Sequence, residues 1–190
     1  MRRKLRPELH KFLNEKLGFQ GGAVDCFISA ATACVGILEE SENRGEYIDM
    51  FHEAAHSYKG APWCMSFVQA MVAFIENRCK ESALPVGAGC VDVFSRAPES
   101  MKVVDPRRGD IIVWKHIDSM AGHCGIITRV GAEFYATIEG NTSGGKGIDR
   151  NGDGVYARQR SKKPAGTLQI LGFLRPFPDK ISCQTPLQNA

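Results

Sequence analysis

Four residues of this chain have the types and spacing to break an amide bond: Cys64, His123, Glu139 and Asn141. Cys64 opens the apolar run APWCMSFVQAMVAFIENRC, His123 sits in AGHCGIITRV, and Glu139 and Asn141 stand two apart in YATIEGNTS. A thiol attacks as its thiolate, and a helix start beside an imidazolium lowers the pKa that sets how much thiolate exists. Cys64 follows Pro62-Trp63 where a helix would begin, so the positive end of the helix dipole favours its anion. A carboxylate such as Glu139 holds an imidazole in the useful tautomer, and the Asn141 amide can donate to the same ring or to a developing oxyanion. The backbone N–H of Cys64 is a further oxyanion donor, because amides at a helix start lack intrahelical acceptors. The expectation is a cysteine hydrolase in which Cys64 attacks, His123 moves the proton, Glu139 orients and charges the ring, and Asn141 supports it.

These side chains must be carried by suitable elements. A helix is expected from about 24 to 38 and a second from about 46 to 56, separated by a turn at 39–45 that ends in Gly45. In the third, starting at Cys64, residues Phe67, Val68, Met71, Val72 and Ile75 recur at helical spacing, and Cys64 lies on the same buried face. From Asp110 the pattern changes to short β-like runs at 110–114, 124–130, 134–139, 154–158 and 168–175, parted by Gly, Asn and Asp clusters. Helices first and an antiparallel sheet of about five strands afterwards make an α+β plan. Alternate strand residues share a face, so His123 sides with Gly125 and Glu139 with Asn141, while Cys124 points the other way, into the core. We expect a charged N-terminal extension over 1–22, a catalytic domain over 23–178 and a flexible tail over 179–190.

Bulk properties narrow the class. The 190 residues suit one domain, and a net charge of +3 without basic blocks interleaved with aromatics excludes a nucleic-acid binder. The seven cysteines lack tight paired spacing and are expected to be mostly reduced. The start MRRKLRPELHKF lacks the apolar stretch of a signal peptide, and the apolar run 26–38 is shorter than the ~20 residues needed to span a bilayer. A protein made in the cytoplasm, with no stable membrane insertion, is expected.

Other motifs compete. HEAAH at 52–56 matches the zincin helix, with His52 and His56 as ligands, Glu53 as base and Glu76 as a third ligand. This is the alternative of a zinc metallopeptidase. DRNGDG at 149–154 offers Asp149, Asn151 and Asp153 to a structural Ca²⁺, although Arg160 replaces the closing glutamate of an EF-hand. Trp63 and Trp114 are candidates for a substrate groove.

The chain resembles the CHAP family, the cysteine- and histidine-dependent amidohydrolases/peptidases of the papain-like NlpC-type clan. The matching stretches are NRGEYID (43–49), GAPWC (60–64), RGDIIVW (108–114), GHCGII (122–127), IEGNTS (138–143), DGVYAR (153–158) and GFLRP (172–176). The resemblance implies a papain-like fold and places the family's Cys, His, acidic residue and Asn on Cys64, His123, Glu139 and Asn141. It implies a peptidoglycan hydrolase needing no cofactor, either an N-acetylmuramoyl-L-alanine amidase or a stem or cross-bridge endopeptidase. Members serve as phage lysins, autolysins and antibacterial effectors, so a holin or secretion system is the expected delivery partner and the cell wall or periplasm the site of action. The non-enzymatic alternative is a module that only binds wall fragments, and a papain-like transferase or deamidase acting on proteins is a third.

Overall fold

The computed structural model describes residues 3–17, 21–79, 82–144, 152–163 and 166–178. The expected tail at 179–190 lies outside them, as do Asp149 and Asn151. The elements are α1 (Pro7–Lys16), α2 (Ala23–Ala33), α3 (Glu46–Ala54), α4 (Cys64–Glu76), α5 (Cys90–Arg96), a 3₁₀ turn (Glu99–Met101), β1 (Lys102–Val103), β2 (Ile111–His116), β3 (Gly122–Val130), β4 (Phe134–Thr142), β5 (Gly154–Ser161) and β6 (Leu168–Leu174). The strands form one antiparallel sheet in the order β1-β6-β2-β3-β4-β5. Helices packed on an antiparallel sheet are the α+β plan expected, consistent with a papain-like fold.

Helix α4 is the axis of the molecule. It is apolar on all sides, and every residue from Cys64 to Ile75 is buried, because α2 and α3 cover one side while β3 and β4 cover the other. The inner sheet face contributes Ile111, Val113, Cys124, Ile126, Ile138, Val155 and Leu174 to this core. The alternate residues Ile112, Trp114, Ile127, Tyr135 and Leu168 form a smaller cluster on the opposite face.

Four features differ from the sequence reading. Helix α2 stops at Ala33, not 38, because Gly36 turns at φ 93 and the chain then pairs with β5: Gly36 N–H donates to the Val155 carbonyl (2.9 Å), and Val155 N–H to the Ile37 carbonyl (2.9 Å). Helix α3 stops at Ala54, and His56 beyond it has φ 55. The charged start contains α1, whose Leu9 and Leu13 are buried in the main core while Leu5 packs against it. The sheet gains a sixth, two-residue strand, β1.

Candidate active site

Helix α4 begins at Cys64 with no side-chain cap. Its entry is held from β4 instead. With its amide oriented to satisfy its neighbours, Asn141 accepts from the Trp63 N–H (3.0 Å) and donates to the Gly152 carbonyl (3.0 Å). Asn141 adopts φ 53 at a register shift between Glu139 and Thr142, so the strand does not persist regularly to it. The sequence reading had its amide facing the imidazole or an oxyanion; the bulge turns it to the backbone ahead of the nucleophile.

His123 and Glu139 meet as expected. His123 Nε2 and Glu139 Oε2 are 2.8 Å apart, and the ring also hydrogen-bonds Cys64. Gly125 makes this approach possible, since a Cβ there would stand 2.7 Å from Glu139 Cγ. Glu139 is fully buried and saturated with donors. Thr137 Oγ1 donates to Oε1 at 2.5 Å, and Arg160 from β5 forks onto the carboxylate, its Nε 2.8 Å from Oε1 and its Nη2 on Oε2. The Trp114 ring stacks on His123 (centroids 5.7 Å, 22°) and carries the Arg160 guanidinium 5.8 Å from its centroid.

Electrostatics follow from this chain of contacts. Burial disfavours the Glu139 anion, but the Arg160 fork and the His123 hydrogen bond outweigh it and hold the carboxyl near about 2. Burial likewise opposes the His123 cation. The Cys64 hydrogen bond and the Glu139 contact overcome it and raise the ring to about 9. Cys64 is held well below the usual thiol range, first by the Cys124 hydrogen bond, then by that of Cys90, with His123 adding its bond and charge against burial. At neutral pH the site is therefore a row of alternating charges: thiolate, imidazolium, carboxylate, guanidinium.

The two extra thiols were not expected. Cys64 and Cys90 sulfurs are 3.4 Å apart, and the Cys64, Cys90 and Cys124 sulfurs all lie within 4.8 Å of one another. Cys124 does face the core, as its strand parity dictates, but that is where the Cys64 thiol also reaches. Cys124 is driven well above the usual range, first by burial and then by its bond to Cys64. Cys90 rises too. Its bond with Cys124 favours its anion, but its bond with Cys64 and burial prevail. Helix α5 lies close to β3 at Gly122, where a Cβ would stand 2.4 Å from the Trp114 carbonyl oxygen and 3.1 Å from Val91 Cγ2. Cys26 and Cys34 are also free, and Cys79 is disulfide-bonded.

The competing motifs fare differently. His52 and His56 do not share a helix face, because α3 ends between them. His52 is buried with Nε2 3.3 Å from the Asn43 carbonyl, Glu53 pairs with Arg6 (3.6 Å) and Glu76 with Arg3 (2.7 Å). Among the described residues, the one group of three or more His, Cys, Asp or Glu with converging ligand atoms is the cysteine trio, so the HEAAH zinc helix is not formed. Trp63 is fully buried against Phe51, its Nε1 donating to Glu39 (2.6 Å), and Trp114 is 4% exposed beneath Arg160, so neither ring lines an open groove. Asp153 is exposed and accepts from the Tyr156 hydroxyl.

Sequence reasoning missed Arg160, Thr137 and Cys90. Alternation along β4 puts Thr137 on the face of Glu139, which was a readable signal; Arg160 needs the β4–β5 register, which places it beside Tyr135.

No curated protein and no solved structure matches the chain. The model of the CHAP domain matches residues 56–141, a shorter stretch than the motifs at 43–176 but one that contains Cys64, His123, Glu139 and Asn141. CHAP domains are in general hydrolytic amidases or peptidases of peptidoglycan. Over residues 56–141 the chain matches the CHAP domain, the cysteine- and histidine-dependent amidohydrolase/peptidase family that its motifs resemble.

Proposed function

We propose that the protein hydrolyses an amide bond of peptidoglycan with Cys64 as nucleophile. The observation that supports this reading is the contact series Cys64–His123–Glu139 at the start of α4, within the CHAP match. The resting site is already an ion pair, so the Cys64 thiolate attacks the carbonyl carbon directly. The Cys64 N–H at the first helical position receives the developing oxyanion. His123, as imidazolium, gives its proton to the departing amine, which leaves an acyl thioester. Neutral His123 then takes a proton from water, hydroxide attacks the thioester, and the acid product leaves as the thiolate is restored. Glu139 keeps the imidazolium charged and oriented, Arg160 and Thr137 fix Glu139, and Asn141 fixes the helix entry. No metal enters these steps.

The bond cut is the lactyl–alanine amide or one within the stem or cross-bridge. The protein acts at the wall after release or delivery, in the manner of a phage lysin or an antibacterial effector, with a holin or secretion system as helper. No helix among the described residues is long and apolar enough to cross a membrane. The test is digestion of purified sacculi followed by mass spectrometry of the fragments. A new lactyl group, a stem cut or a cross-bridge cut is expected with the wild type and none with Cys64→Ala. Turnover that survives in Cys64→Ala, or that vanishes on EDTA treatment and returns with zinc, refutes the cysteine mechanism. A folded protein that binds sacculi without cutting them is the wall-binding module instead.

A further inference from the structure

Cys90 and Cys124 perform no step of the proposed reaction, yet both sulfurs converge on the nucleophile. The three thiols come from α4, α5 and β3, at positions 64, 90 and 124, so no local spacing brings them together. We propose that Cys64, Cys90 and Cys124 form a binding site for a soft, thiophilic divalent cation, of which Zn²⁺ is the probe, and that an ion held there keeps the Cys64 sulfur from reacting.

The geometry suits such an ion. Zn–S bonds of ~2.3 Å put two sulfurs of a tetrahedral site ~3.8 Å apart. The trio spans this value, with 3.4 Å between Cys64 and Cys90 and all three within 4.8 Å. The donors are all sulfur, which selects zinc-like or copper(I)-like ions over magnesium or calcium. All three are buried. Among the described residues the converging donors are the three sulfurs themselves. Binding moves no electrons: Cys64 binds as the thiolate it already is, while at Cys90 and Cys124 each Zn–S bond replaces an S–H bond and the proton leaves to buffer. The site itself stands on the sulfur geometry; its inhibitory effect rests on the hydrolase reading above.

The experiment uses the full, tag-free chain, stripped of metal and kept reduced with a phosphine. Co²⁺ is titrated in first, then displaced by Zn²⁺. One ion per chain with a thiolate-to-cobalt charge-transfer band is expected, and Cys90→Ala and Cys124→Ala should each weaken binding at least ~tenfold. Cys64→Ala should diminish the band by about a third, since one of three thiolates is gone, with circular dichroism reporting the fold of each variant. Absence of the band in the wild-type protein, or unchanged affinity in folded variants at both positions, overturns the site. In parallel, sacculus digestion should stop at saturating Zn²⁺ and resume with EDTA. Digestion that continues with the site demonstrably filled overturns the inhibitory half. Ion binding in a protein that never digests sacculi defeats the hydrolase reading and leaves the metal site standing.

Discussion

Glu139→Gln tests the charge row at its centre. His123 is raised from 6.5 to about 9 despite its burial. At about 1.4 kcal/mol per pKa unit, the site favours the imidazolium by about 3 kcal/mol over the free side chain. Glu139 supplies the second of the upward contributions, after Cys64, through both a hydrogen bond and its charge. Losing its share lowers the ring by on the order of one pKa unit. Glutamine preserves the shape and removes the charge. It also leaves the Arg160 guanidinium without its carboxylate, 5.8 Å from the Trp114 ring that stacks on His123, which pushes the ring further towards neutrality. The alkaline limb of kcat/KM on sacculi should therefore fall from near pH 9 to about pH 8 or below. Losing a charge-assisted hydrogen bond worth ~1.5–3 kcal/mol should lower turnover about 10- to 100-fold. Cys64 loses part of its counter-charge, so its alkylation at mildly acidic pH should slow. The assay is a pair of pH profiles, alkylation rate and turnover, for wild type and variant. If both profiles are unchanged, Glu139 does not act on His123 and the charge row has no bearing on the reaction.

Cys124→Ala removes the largest stabiliser of the Cys64 thiolate, so the acid limb of Cys64 alkylation should move to higher pH while activity persists at mildly alkaline pH; an unmoved limb would show that the neighbouring thiols do not tune the nucleophile. Asn141→Ala loses the 3.0 Å contacts to Trp63 and Gly152, and should cost about 1–3 kcal/mol of stability, read as a lower Tm, with the alkaline limb in place; a shifted limb with unchanged Tm would restore Asn141 to the imidazole. Acid stability should report Glu139. Its folded pKa is depressed from 4.5 to about 2, so its stabilisation is complete above 4.5 and is lost as pH falls towards 2, up to about 3 kcal/mol. Glu139→Gln should flatten that part of the Tm–pH curve, and a parallel curve would contradict the buried ion pair.

The sequence made the chemistry more legible than the surroundings. Cys64 was readable because an apolar helical run starts at it, and His123 and Glu139 because strand alternation is local. Cys90 was not, because α5 is a seven-residue helix whose relation to α4 and β3 is purely tertiary. Arg160 was hidden because only the β4–β5 register, a tertiary pairing, delivers it to Glu139. Asn141 was placed in the right neighbourhood but aimed wrongly, since a bulge cannot be read from two residues of spacing. Helix α1 was visible in Leu5, Leu9 and Leu13, an apolar residue every fourth position, but the charges around them masked it. The helix expected to reach 38 ends early because Gly36 is the turn that sends the chain to β5.

Arg160 also sets a limit for anyone wishing to transplant this domain. The residues that carry the family match end at 141, and the cation that neutralises the buried carboxylate sits nineteen positions further on, in β5. A chimera spliced at the edge of the match would inherit the nucleophile, the imidazole and the carboxylate but leave that carboxylate without its guanidinium. The smallest exchangeable cassette therefore runs through β5 to Ser161, and because β5 starts against residues 36–39, it must bring the α2–α3 connector along as well.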